Sequence, residues 1–365
     1  MKKILLLVMS SLLFINCNNS NQIKEKKNDS GLFMIFIKTD NNYKYGFIDK
    51  KGKIVINPQF DKAHNFENGL AKVEVGNMWG YIDKNGKIVI NPQFKYASNF
   101  ENGLAMVRVG DKSGYINKEG EIVINPQFES AGNFENGLAR VEVGDKWGYI
   151  DKEGRIVINP QFESAGNFEN GLARVEVGNK WGYIDKKGRI VINPQFDRAK
   201  GFENGLAVVR VGDKWGYINK EGKIVINPQF ESAGNFENGL ARVNVSDKWG
   251  YIDKEGKIVI NPQFDKAEKF ENGLALVRVG RKYGYINKEG KIVINPQFDR
   301  AISFKNGLAM VKVEGKYGYI NKEGKFVINP QFDSALSFAN GLAMVEIGNK
   351  WGYIDKEGVY VYNPQ

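Results

Sequence analysis

Residues 137–170 read GLARVEVGDKWGYIDKEGRIVINPQFESAGNFEN, and this stretch decides the fold. Glycine or proline stands at 137, 144, 148, 154, 160 and 166, so no helix pair fits between the breakers. The apolar residues alternate and are β-branched, the pattern of strands half buried on one face. Leu138 to Val143 form one strand, with Ala139, Val141 and Val143 facing one way and Leu138, Arg140 and Glu142 the other. Gly144-Asp145 makes a two-residue hairpin turn, the glycine supplying the positive φ. Trp147 to Asp151 form a second strand. Lys152-Glu153-Gly154 fits a three-residue hairpin, and Arg155 to Asn159 form a third strand that Pro160 ends. The remainder, residues 161–170, reads as a connection with at most one helical turn. Its Phe162, Ala165 and Phe168 are placed to fill the gap between neighbouring meanders.

The stretch is one copy of many. The chain's ten prolines, from Pro58 to Pro364, each lie in Asn-Pro-Gln and follow one another at intervals of 34 residues. All six tryptophans, Trp79, Trp147, Trp181, Trp215, Trp249 and Trp351, hold one position of the unit. Residues 125–144 and 159–178 are identical. Fixed-period self-similarity means stacked copies of one supersecondary unit, each burying its neighbour's face. The expected fold is therefore all-β: a tandem array of ten 34-residue three-stranded antiparallel meanders over residues 31–365. An open, curved, solenoid-like array is expected, because the chain starts and stops in phase with the unit and no sheet would be shared between its ends. A closed β-propeller-like ring is the alternative. The end units differ from the rest, with Leu32 to Ile37 unusually apolar and Val359-Tyr360-Val361-Tyr362 replacing Lys-Ile-Val-Ile.

Composition narrows the chemistry. The formal charge of +10 is interspersed with acidic residues rather than gathered in a stripe, which argues against nucleic acid as a partner. One Cys and one His exclude a disulfide framework, a thiolate metal cluster and multi-His sites. The residues that break the repeat symmetry (His64, Tyr96, Ser113, Ser246, Arg281) form no reactive set. No catalytic residue, metal or cofactor is expected.

Residues 1–16 read as an export signal: Lys2 and Lys3, then an apolar run from Ile4 to Ile15 too short to span a bilayer. The run ends at Cys17, and Phe14-Ile15-Asn16-Cys17 resembles a bacterial lipoprotein signal, although Phe14 and Asn16 depart from the usual box. The resemblance implies cleavage before Cys17 and lipidation of its thiol, with palmitate among the incorporated chains. Residues 17–30 would then be a lipidated Cys and flexible tether. The implied address is the cell envelope of a bacterium, the outer membrane where there are two.

The recurring Gly-Leu-Ala-x-Val, Lys-Trp-Gly-Tyr-Ile-Asp and Ile-Val-Ile-Asn-Pro-Gln-Phe resemble the WG repeat of bacterial proteins. Ser113 replaces the Trp once, and Tyr45, Tyr283 and Tyr317 replace it three times. The resemblance implies an all-β repeat array, often exported, and supplies no catalytic residues. Two readings of the surface follow. In the first, the six tryptophans hold the stack together and any ligand meets the variable strand face at Arg140, Glu142, Arg174, Glu176 and Arg210. Trp181→Ala is then costly, and Arg174→Ala changes stability by under about 0.5 kcal/mol. In the second, Trp147, Tyr149, Asp151 and their copies form aromatic platforms for sugars. The corresponding functions are a scaffold for envelope proteins and a carbohydrate- or cell-wall-binding protein.

Overall fold

Three tight turns shape every unit after the first. In the computed structural model, which describes residues 31–39 and 42–363, Gly144 and Asp145 both take positive φ (56° and 58°). That is a type I′ turn, whose twist matches the flanking strands. It joins Ala139–Val143 to Lys146–Ile150 in the expected register. Gly154 (φ 82°) turns the chain again into Ile156–Phe162. The third turn was legible but unread. Asn136-Gly137 (φ 53° and 91°) forms another tight hairpin, with Glu135 and Leu138 exchanging backbone hydrogen bonds of 2.9 and 3.2 Å. It folds the short strand Ser130–Ala131 back along Ala139–Val143, so the connection contributes a strand rather than a helical turn.

The unit is thus a four-stranded antiparallel sheet, or blade. Nine of the ten sheets have four strands in sequential order, and the first, Phe33–Lys38, Tyr43–Ile48 and Ile54–Phe60, has three. Blade 4, taken as the type, is Ser130–Ala131, Ala139–Val143, Lys146–Ile150 and Ile156–Phe162.

Pro160 does not end its strand as expected. The strand continues to Phe162 through a bulge: Tyr149 faces Ile158 and Trp147 faces Phe162, leaving residues 159–161 without register partners. The bulge crosses directly over Gly148, where a Cβ would lie 2.5 Å from the Ile158 carbonyl oxygen and 2.6 Å from the Pro160 nitrogen. The glycine of each Trp-Gly pair is therefore a requirement of the proline on the neighbouring strand.

Successive blades pack face to face. Tyr149, Ile158 and Phe162 of blade 4 share one buried cluster with Ala165, Phe168, Ala173, Val175 and Ile184 of blade 5. Tyr149 rests on Phe168 at 4.8 Å between ring centroids and donates its hydroxyl to the Gly166 carbonyl at 2.7 Å. The same bond recurs from Tyr81, Tyr183 and Tyr251, each again at 2.7 Å, to the blade that follows. The turn asparagines add a second link, for example Asn68 Nδ2 to the Phe100 carbonyl at 2.8 Å.

Of the two arrangements, the structure takes the ring and not the open solenoid. Blade 10 packs on blade 1 through Phe33, Ile35 and Ile48 against Leu342, Met344 and Tyr353. Tyr353 donates to the Met34 carbonyl at 2.7 Å, repeating the bond of the internal joints. Closure needs no sheet built from both ends, because packed faces suffice; that is why the phase of the chain was a poor guide. Within the apolar Leu32 to Ile37 segment, Phe33 and Ile35 supply the receiving face of this joint, while Leu32 and Met34 pack toward blade 2.

Ring packing also changes the facing of the second strand. Ala139 and Val141 are fully buried, but Val143, at the hairpin end, is 41% exposed. Arg140 and Glu142 are half-buried rather than solvated, because the next blade covers that face.

Candidate functional site: the grooves between blades

Each joint between blades carries the Trp slot on its rim. Lys146–Ile150 places Trp147 and Tyr149 on one face, Tyr149 deep in the joint and Trp147 half-buried above it. The neighbouring strand pairs Arg140 with Tyr149 and Glu142 with Trp147. The Arg140 guanidinium lies 4.9 Å from the Trp147 ring and donates to the Ala165 carbonyl of the next blade at 2.6 Å. Arg174 repeats this over Trp181, at 5.1 Å, with a 2.6 Å bond to Ala199. Lys72 sits 5.0 Å from Trp79 and reaches the Ala97 carbonyl at 3.1 Å. At Trp215 the cation arrives differently: Val208 holds the Arg140 position, so Lys200 (5.7 Å) and Arg210 (5.9 Å) cover the ring from elsewhere.

The candidate residues thus divide. Arg140 and Arg174 are clamps between blades, and Arg210 is a partial cover of Trp215. Glu142 and Glu176 lie beside them, half-buried opposite Trp147 and Trp181. Of the tryptophans, Trp181 is 9% exposed. Trp79, Trp147, Trp215, Trp249 and Trp351 are half-buried, and Trp351 stands at the closing joint, 6.3 Å from Phe36. A sugar stacking on Trp147 would have to displace a hydrogen-bonded guanidinium. Burial pulls Arg140 and Lys200 below their usual ranges and pushes the Tyr149 phenol well above its own. Cys17 lies outside the described residues.

On the outer turns, Asp61 joins blade 1 to blade 2. It accepts from Lys44 Nζ at 2.7 Å and from the Gly76 amide at 2.8 Å, and these bonds hold its carboxyl below the usual range. Lys180, Asp197 and the Gly212 amide repeat the arrangement. Among the described residues, no three His, Cys, Asp or Glu side chains are grouped to hold a metal.

The WG containing repeat matches this chain nine times in succession, at residues 45–79, 79–112, 114–147, 147–181, 181–215, 215–249, 249–283, 283–317 and 317–351. The chain belongs to the WG-repeat family. No curated protein sequence matches it. Among solved structures, the WG-repeat ring is similar to the crystal structure of a eukaryotic initiation factor. That match has a TM-score of 0.51 and 11% identity, over 80% of this chain and 95% of the other. Looser similarities are to Hsv2p of Kluyveromyces lactis (TM-score 0.38, 10% identity, 63% of this chain and 94% of that one) and to dihydro-heme d1 dehydrogenase NirN in complex with DHE (0.37, 11%, 74% and 77%). At such identities the likeness concerns the fold alone.

One surface feature escaped the sequence reading. The last strand of blades 1 to 9 opens with two exposed apolar residues: Ile54-Val55, Ile88-Val89, Ile156-Val157 and their copies, the ninth being Phe326-Val327. Each of these side chains is between 41% and 53% exposed. The signal was present in Ile-Val-Ile. Only the second Ile, such as Ile158 at 3%, turns inward.

Proposed function

We propose that this WG-repeat ring is a non-enzymatic scaffold that binds protein partners at the cell envelope, held to the membrane through a lipid on Cys17. The exposed Ile-Val pairs carry the reading. Surface apolar residues scattered singly are ordinary, whereas an apolar pair repeated at one position of nine blades offers a partner many equivalent contacts. Addition of a partner strand to these edges is disfavoured by the proline bulge within each and by the Lys or Arg that opens most of them, for example Lys87 and Arg155. Side-chain contact is therefore the mode expected. The covering of the indoles by Arg140, Arg174 and Lys72 favours protein over cell-wall polysaccharide.

The purified ring should retain envelope proteins and release purified peptidoglycan. Val123, Val157 and Val191 changed together to Lys should lose that retention with the β circular-dichroism spectrum intact. Retention of peptidoglycan instead, lost in Trp147→Ala, would make the sugar platforms the function. For the anchor, labelled palmitate should enter the wild type and not Cys17→Ala; equal labelling of both would refute it.

A further inference from the structure

One joint of the ring lacks any aromatic ring in the Trp slot and also lacks the cation of the Arg140 position. Ser113 of blade 3 stands where six blades carry Trp, and Met106 stands where Arg140 and Arg174 stand in theirs. The result is a cavity of about 230 Å³ between blades 3 and 4, lined by Tyr96, Met106, Arg108, Ser113, Ser130 and Ala131. Two of the residues that break the repeat symmetry, Tyr96 and Ser113, meet here. We propose that this cavity is a binding site for a planar aromatic carboxylate of about indole size.

The neighbouring joints supply the template. There an indole fills the same slot and a cationic side chain donates to the alanine carbonyl of the next blade, Ala165 or Ala199. Met106 leaves the equivalent Ala131 carbonyl without such a donor and gives the slot an apolar, adaptable wall. Ser113 is 3% exposed and fills only a small part of the slot that an indole occupies elsewhere. Ala131 is half-buried, whereas Ala165 is 2% exposed under Trp147. The rim here is basic, as it is at Arg210, Arg278 and Lys312, where blades 4 and 5 carry a glutamate. Arg108 occupies the position of Glu142 and Glu176, is paired across the sheet with both Tyr96 and Ser113, and spends one guanidinium nitrogen on the Asp111 carbonyl at 3.1 Å. A flat ring would lie between Met106 and the 46% exposed Tyr96, with its N–H toward Ala131 and its carboxylate toward Arg108. The volume suffices, since an apolar cavity of roughly 150 Å³ already takes up benzene.

Titration calorimetry with the full ring tests this, using indole-3-acetate, indole, tryptamine and cyclohexylacetate as probes. Indole-3-acetate should bind with one-to-one stoichiometry, at least about tenfold more tightly than the other three, a difference of about 1.4 kcal/mol. Ser113→Trp restores the residue of six other blades and should abolish binding. Arg108→Glu, also a residue the other blades use, should cost the acid about tenfold and leave indole unchanged. No saturable heat with indole-3-acetate up to about 1 mM, or binding that survives Ser113→Trp, would overturn the site. Equal affinity for indole and indole-3-acetate would refute the role of Arg108.

Discussion

Replacing the glycine of a Trp-Gly pair tests the central geometrical claim. In Gly182→Ala the new Cβ would lie 2.5 Å from the Ile192 carbonyl oxygen, 2.6 Å from the Pro194 nitrogen and 2.9 Å from the Asn193 carbonyl carbon. All three are backbone atoms, so no rotamer change relieves the overlap, and the bulge must move bodily. Overpacking of this kind costs roughly 1–3 kcal/mol. Moving the bulge loosens the ladder on either side, where Tyr183 faces Ile192 and Trp181 faces Phe196, and two weakened hydrogen bonds add about 1 kcal/mol each. The expected loss is about 3–5 kcal/mol, felt first in blade 5 because each blade contacts only its neighbours. Gly178→Asn is the control. Gly178 has φ 59° with nothing within 4 Å of its Cβ position, so Asn in the left-handed region should cost under about 1 kcal/mol. Urea unfolding followed by tryptophan fluorescence gives the sizes, and hydrogen–deuterium exchange over residues 180–196 gives the place. If Gly182→Ala and Gly178→Asn shift the midpoint equally, and exchange over 180–196 stays as slow as in the wild type, the bulge does not dictate the glycine.

Further outcomes follow from the joints. Tyr217→Phe strands the Gly234 carbonyl that its hydroxyl reaches at 2.8 Å and should cost about 1–3 kcal/mol in urea unfolding. Trp181→Ala should cost about 3–5 kcal/mol. Arg174→Ala, expected from sequence alone to be nearly silent, should cost about 1–2 kcal/mol because it removes both the ring contact and the bond to Ala199. Burial holds the phenols of Tyr81, Tyr149 and Tyr217 well above the ordinary tyrosine range. The unfolded chain therefore releases these protons first: stability is intact below about pH 10 and falls as pH rises beyond it, with phenolate absorbance appearing together with loss of β structure. Gradual ionisation of every tyrosine before unfolding would contradict the buried joints. Phe33→Asp buries a carboxylate at the closing joint and should raise the radius of gyration in solution scattering while the β content stays; an unchanged radius would mean the closing contact does not hold the ring.

The strands were legible because each is specified locally. Alternation in Leu138 to Val143, the Gly144-Asp145 turn and Gly154 each carry their own geometry. The short strand was legible too, for Asn136-Gly137 is a strong hairpin signal. It was overlooked because Ser130–Ala131 spans only two residues and carries no periodicity. Pro160 misled because a proline inside a strand needs a bulge, and the residue that permits the bulge, Gly148, stands on another strand. The choice between the open array and the closed ring was not legible, and the ring stood only as the alternative. Closure depends on an angle between blades summed around the circle, and no single residue encodes that sum. The site followed the same division. The Trp slot was readable from Tyr45, Tyr283 and Tyr317 as a packing position, yet the deeper anchor is the tyrosine two residues on, which substitution patterns left indistinguishable. Arg140 was misread as solvated because its cover comes from the next blade.

The closing joint also bears on assembly. Tyr353 and Met34 join residues 319 apart with the same bond that elsewhere spans 17. Its two faces are different surfaces, so the contact is head-to-tail, and nothing in its chemistry requires both faces to come from one molecule. Within one chain, the other nine joints hold the two faces at a high effective concentration, which favours self-closure. Between chains, the same faces would link rings that opened into longer, heterologous polymers. Protein concentration is then a variable of the fold itself: dilute chains close on themselves, and a chain opened at Phe33 at high concentration becomes a monomer in the chemical sense.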